Sequence, residues 1–188
     1  MKKRNGFSLI ELLAIVSIMS IIFGFALPSF QSVTDKLKSD SVAEQLYHHL
    51  YHARIESITK NIVTTVCASL DKQQCIHDTD WSNHDIIIFQ DKNNNGNIDT
   101  NEPIISVMNL GLTQGTLKWK SFGNKPYLQW QPSGMTYYQN GNFTYCPKNH
   151  DEHYAKRIIL NTAGRIYFGY DRNHDGIQEG TNGKNIQC

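Results

Sequence analysis

The chain has 188 residues, 39% of them hydrophobic and 19% charged, with 18 basic against 17 acidic side chains and a formal net charge of +1. That length carries one compact domain beside a short additional segment. A balance so near neutral excludes the strongly basic footprint of a general nucleic-acid binder, and without Lys2, Lys3 and Arg4 it turns to about −2.

The first predicted element is the stretch 1–30, in three parts. A basic leader, Lys2-Lys3-Arg4, runs up to Gly6; Phe7-Ser8-Leu9-Ile10-Glu11 follows; then residues 12–30 carry no charge. A run of about 18 apolar residues is long enough to cross a bilayer as a helix. Glu11 is out of place there, because a carboxylate near the start of a span costs on the order of 3 kcal/mol, and such a residue marks function by default. The leader ahead of the span predicts a cytoplasmic N-terminus, with the rest of the chain across the membrane. Two plainer readings fit less well. An ordinary secretory signal ends in small residues, which Ala26-Leu27-Pro28 matches poorly, and a plain anchor has no use for Glu11.

Pro28 predicts a kink or an end in this helix. Beyond it Val33, Leu37, Ala43, Leu46, Leu50, Ala53 and Ser57 recur at three- and four-residue steps, an amphipathic stripe that carries helix to about residue 59. Strands are predicted at 62–67, 85–90, 103–109, 116–120 and 127–131. Asn140-Gly141 predicts a hairpin between 136–138 and 143–146, and Thr162-Ala163-Gly164 another between 157–160 and 165–168. The chain is therefore read as α+β: leader 1–6, membrane helix 7–30, amphipathic helix 31–60, and a globular antiparallel β-sandwich-like domain 61–188. Trp81, Trp119 and Trp130, at strand ends, are expected to fill its core. Across an inner membrane the compartment is oxidising, so Cys67, Cys75, Cys146 and Cys188 read as two disulfides. Four cysteines allow three pairings, and sequence proximity favours Cys67–Cys75 and Cys146–Cys188.

The opening pattern, from the basic leader through Gly6 and Phe7 to Glu11, resembles the class III signal of type IV prepilins and type II secretion pseudopilins. The resemblance implies that a dedicated peptidase cuts after Gly6 and that Phe7 is then N-methylated. It also implies that Glu11 neutralises the N-terminal ammonium of a neighbouring subunit in the fibre. Two opposite charges, each costly in hydrocarbon, are tolerable as a pair. A proline near position 28 is common in that group, which favours one long kinked helix. Further along, His52-Ala53-Arg54-Ile55-Glu56-Ser57-Ile58, Val66-Cys67, Ile88-Phe89-Gln90-Asp91, Pro132-Ser133-Gly134, Cys146-Pro147 and Asn161-Thr162-Ala163-Gly164-Arg165 resemble the GspH/FimT family of minor pilins and pseudopilins.

That resemblance implies a type IV pilin-like fold and a protein that is not an enzyme and requires no cofactor. It implies a subunit that primes or caps a type IV pilus or a type II secretion pseudopilus. The implied partners are other pilins, the prepilin peptidase and the inner-membrane assembly platform. The implied location is a single pass through the bacterial inner membrane with a periplasmic domain, and afterwards the fibre. An alternative within the family is DNA capture in natural transformation, through a Gly-Arg-x-Arg motif. Here the matching residues are Gly164-Arg165-Ile166-Tyr167, so the second arginine is a tyrosine and one phosphate donor is lost. Lys156, Arg157, Arg165, Arg172 and Lys184 would carry that activity.

One loop stands apart. Asp91, Asn93, Asn95, Asn97, Asp99 and Glu102, with Gly96 at the sharp turn, match the spacing of a twelve-residue EF-hand loop. The flanks are strands rather than helices, and Asn-Gly is good hairpin chemistry. A calcium site and a solvated hairpin connection both stay open. Asp171-Arg172-Asn173-His174-Asp175-Gly176 begins the same way, with Asn182 at position 12. His48 and His52 lie one helical turn apart without a third ligand nearby, and with His49 they read as a solvated helix face.

Overall fold

A computed structural model describes residues 8–112, 115–180 and 183–188, and the side chains of all of these but 25–29 and 31. Gly6 and Phe7 lie outside the described residues. The longest element is α1, Leu9–Lys60, which continues through Pro28 instead of ending there. The chain divides into two units, Met1–Leu37 and Lys38–Cys188.

In the first unit the helix opens with a capping box. Ser8 Oγ accepts from the Glu11 N–H at 3.3 Å, while Glu11 Oε2 accepts from the Ser8 N–H at 2.9 Å. The hydroxyls of Ser17 and Ser20 donate to the carbonyls of Leu13 and Val16 at 2.7 Å, which settles both groups inside an otherwise apolar helix. Leu9, Ile10, Ile21 and Phe30 are exposed, and so are Val33 and Leu37. The stripe read from sequence therefore starts burying its residues only in the second unit. Over the described residues no helix is long and apolar enough to cross a membrane. The side chains of residues 25–29, inside the expected span 7–30, lie outside the described ones.

The second unit holds two four-stranded antiparallel sheets. Its strands are β1 Thr64–Ser69, β2 Asp85–Gln90, β3 Ile104–Asn109, β4 Thr116–Ser121, β5 Tyr127–Trp130, β6 Gly141–Cys146, β7 Lys156–Leu160 and β8 Ile166–Phe168. Sheet order is β3-β2-β1-β5 in one and β4-β6-β7-β8 in the other. Val42, Leu46, Leu50 and Ala53 of α1 share one core with both sheets, which includes Trp81, Trp119 and Trp130. Each fully buried side chain of this size contributes about 1.5–3 kcal/mol. Both disulfides pair as sequence proximity favours, Cys67–Cys75 and Cys146–Cys188. The second holds the C-terminal residue to β6.

One expected strand does not form. Residues 136–138 make only an isolated bridge, Trp130 to Thr136, and Tyr138 takes a positive φ of 56°. Asn140-Gly141 is accordingly not a hairpin turn. Gly141 is the first residue of β6 and lies so close to β4 that a Cβ there would come within 2.3 Å of the Lys120 carbonyl oxygen. The glycine serves a close approach between strands, the alternative use of glycine in a β pattern.

Candidate functional site

Two of the domain's sequence motifs meet at the end of α1. Arg54 Nε donates to the Gly134 carbonyl at 3.0 Å, and Arg54 Nη2 to the Ala163 carbonyl at 3.4 Å. One guanidinium fork thus ties Pro132-Ser133-Gly134 and Asn161-Thr162-Ala163-Gly164-Arg165 to the helix. Gly164 has φ +73°, and a Cβ on it would meet the Gly134 carbonyl oxygen at 1.9 Å. Its N–H donates to the Asn161 carbonyl, and the Arg165 N–H to Asn161 Oδ1 at 3.0 Å. The segment read as a candidate DNA motif runs from the β7–β8 turn into β8, and its glycine is required by packing. Arg54 itself was missed as the hub. The available signal was an arginine lying directly beside buried stripe positions Ala53 and Ser57.

The five candidate DNA-binding cations do not form one set. Lys156 Nζ is ion-paired with Asp40 at 2.5 Å. Arg157 is half-buried, its Nε donates to Thr144 Oγ1 at 3.2 Å, and burial lowers its pKa. Arg165 and Arg172 are exposed in separate loops, and Lys184 lies in the C-terminal tail.

The Asp91–Glu102 loop is gathered, but around its own hydrogen bonds. Asp91 is fully buried. Its Oδ2 accepts from Thr65 Oγ1 at 2.7 Å, Gln129 Nε2 at 2.6 Å and the Gly96 N–H at 2.9 Å; its Oδ1 accepts from the Asn95 N–H at 3.1 Å. Glu102 accepts from the N–H groups of Lys92 and Asp99, and Asp99 from the amides of Asn93 and Asn95. The Asn93 and Asn95 carboxamide oxygens also accept loop N–H groups. Most of the loop's side-chain oxygens therefore already accept protein hydrogen bonds, and among the described residues no three His, Cys, Asp or Glu side chains gather to hold a metal. Nor is the loop merely solvated. A Cβ at Gly96 would come within 2.2 Å of the Tyr127 ring, and Ile98 packs with Cys67, Ile87 and Phe89 on the outer face of the first sheet.

The second loop repeats this closure with a different partner. Asp171 accepts from the N–H groups of His174 and Gly176, and buried Glu179 accepts from the Arg172 N–H at 2.7 Å, the part Glu102 plays for Lys92. Asn182, the residue read at position 12, lies outside the described residues. The three helix histidines also separate. His48 and His52 are exposed, but His49 is buried with Nε2 3.2 Å from the Ile86 carbonyl oxygen, which fixes it as the N–H donor. Its pKa is lowered to about 4, first by burial and further by His52, against the raising effect of the Ile86 contact.

Comparison with known proteins sets these features in context. Residues 42–164 match the family model of type II transport protein GspH, and residues 1–27 match the prokaryotic N-terminal methylation motif. The fold is similar to crystal structures of the type IV minor pilin FimU of Pseudomonas aeruginosa. One crystal form gives a TM-score of 0.54 at 21% identity over 72% of this chain and 91% of the other; a second gives 0.52 at 22% identity over 69% and 90%. The minor pseudopilin EpsH of the Vibrio cholerae type 2 secretion system aligns at a TM-score of 0.49 and 15% identity, over 70% and 95%. No curated protein matches by sequence.

Proposed function

The chain belongs to the GspH family, and from that premise we propose that it is an assembly subunit which primes or caps a type IV pilus or a type II secretion pseudopilus. The observation that carries this reading is the division of α1. Up to Leu37 its described large apolar side chains are exposed, with Glu11 the only acid of the first turn, whereas from Val42 onward the same helix is built into a folded domain. A bare apolar helix on a finished domain is a surface that requires other helices or lipid. In this reading the peptidase cuts after Gly6, Phe7 becomes the methylated N-terminus, and the helix waits in the inner membrane with the domain in the periplasm. The assembly platform then moves it into the fibre, where Glu11 meets the terminal ammonium of a neighbour. In the unassembled chain Glu11 is held by Ser8, so docking replaces an internal partner with an external one.

The test is incorporation of full-length variants into the fibre in cells. Gly6→Ala is expected to leave an uncut, unincorporated precursor. Glu11→Ala is expected to be cut normally and to remain in the membrane. Normal incorporation of both would sink the proposal.

A further inference from the structure

The strands of the second sheet, β4, β6, β7 and β8, all described, carry Lys118, Lys120, Lys156 and Arg157 and no aspartate or glutamate. Alternation puts Lys118, Lys120 and Arg157 on the outer face, whereas Lys156 shares the inner side with Ile158 and pairs with Asp40. The register places Lys120 opposite Asn142, Asn142 opposite Ile159, and Ile159 opposite Tyr167. These four residues form one row across the whole sheet. Trp119, Phe143 and Ile158, each one position away, fill the core, so alternation puts the row on the outer face. Along it runs a groove of about 380 Å³, lined by Lys120, Phe122, Asn142, Ile159, Asn161 and Tyr167 among others.

The hydrogen-bonding state of the lining is one-sided. Asn142 Oδ1 accepts from Thr144 Oγ1, which itself accepts from Arg157 Nε. Asn161 Oδ1 accepts from the Arg165 N–H. Each carboxamide oxygen therefore already accepts one hydrogen bond, and both NH2 groups remain to donate. Among the described residues the Lys120 side chain has no ion-pair or hydrogen-bond partner. The groove thus offers an ammonium and two amide donors without a charged acceptor. Beside them Phe122 and Tyr167 stand exposed, and Ile159 is buried outside the main core.

We propose that this groove is a docking site for an acidic peptide segment of a neighbouring subunit. A carboxylate sits on Lys120 and the Asn142 and Asn161 amides, and an adjacent apolar side chain lies on Ile159 between Phe122 and Tyr167. A carboxylate fits better than a phosphate backbone because a single unpaired ammonium faces the groove and the chain as a whole is near neutral. The inference rests on the assembly reading, since a fibre supplies neighbours at a fixed distance. Held there, a contact of modest affinity is enough, because effective concentration replaces affinity.

The experiment uses the full chain in detergent micelles and fluorescence anisotropy. The probe is a short fluorescein-labelled peptide alternating aspartate and phenylalanine. Comparators are the same peptide with asparagine for aspartate and a short labelled oligothymidylate. Saturable binding of the acidic peptide is expected, with about tenfold weakening in Lys120→Gln, a similar loss in Tyr167→Ala, and no change in Arg172→Gln. An unchanged melting temperature in each variant keeps the comparison valid. Equal binding of the neutral peptide, indifference to Lys120, absence of binding, or tighter binding of the oligothymidylate would each overturn the proposal. None of these outcomes touches the Glu11 incorporation test, so the docking site and the assembly role fail separately.

Discussion

The two parts of α1 obey different rules although they are one helix. Up to Leu37 the apolar residues run all round, and those whose side chains are described are exposed; from Ser39 to Ser57 they form a stripe that is buried against two sheets. A helix that is apolar all round belongs in lipid or a bundle, and one with a stripe belongs on a domain. The difference teaches where stability resides. In the first part it comes from backbone hydrogen bonds and the Ser8–Glu11 cap, and the apolar surface is kept for assembly. In the second the helix is a structural member of the domain.

The largest expected effect tests that contrast directly. Leu50 is fully buried, and Leu50→Ala should lower domain stability by about 2–5 kcal/mol. Ile15 is exposed, and Ile15→Ala should leave the denaturation midpoint of tryptophan fluorescence unchanged in detergent. The three tryptophans sit in the domain core and report on it alone. Comparable shifts in both variants would break the contrast.

The sequence carried this division because hydrophobic period is visible in one dimension. Leu46, Leu50, Ala53 and Ser57 were legible as a stripe, and the strand positions of β2, β4 and β7 followed from short β-branched and aromatic runs between turn residues. Other features depend on neighbours distant in sequence. Nothing near Asp91 announces that Thr65 and Gln129 will bond to it, so its ligand-like spacing invited a cation reading. Arg54 looks like a surface residue until two loops bring their carbonyls to it. Gly141 satisfies turn chemistry and close strand approach equally well, and only the position of β4 decides between them.

The next effect concerns how the domain is closed. Asp91 gathers strand β1, strand β5 and its own loop through four hydrogen bonds. Asp91→Ala leaves buried donors without a partner and should cost about 3 kcal/mol by the same fluorescence assay. Asp171 holds only its own loop, and Asp171→Ala should cost clearly less. A rise of the wild-type midpoint on adding calcium, lost in Asp91→Ala, would show that the loop opens to a cation. An unchanged midpoint agrees with a loop closed by its own donors.

The smallest expected effect uses pH to ask whether the second part of α1 and the first sheet unfold together. His49 is on the helix and its ring N–H reaches the Ile86 carbonyl of β2. Its pKa is lowered from 6.5 to about 4, so the folded state resists a proton that the unfolded chain accepts. Stability from this group is complete above pH 6.5 and is lost as pH falls toward 4, by about 2 kcal/mol at pH 5. His49→Gln keeps an N–H donor without a titrating ring and should flatten that part of the profile. His52, exposed on the same helix, should contribute little when replaced by glutamine. If helix 38–60 is a structural member of the domain, acid should reduce far-ultraviolet helicity and tryptophan burial at one midpoint. Helicity from residues 9–37 should survive in detergent, because the described apolar side chains there are exposed. Separate midpoints for the 38–60 helix and the tryptophans would mean that the buried stripe docks on the sheets without sharing their cooperativity, and the contrast between the two parts of α1 would be one of surface alone.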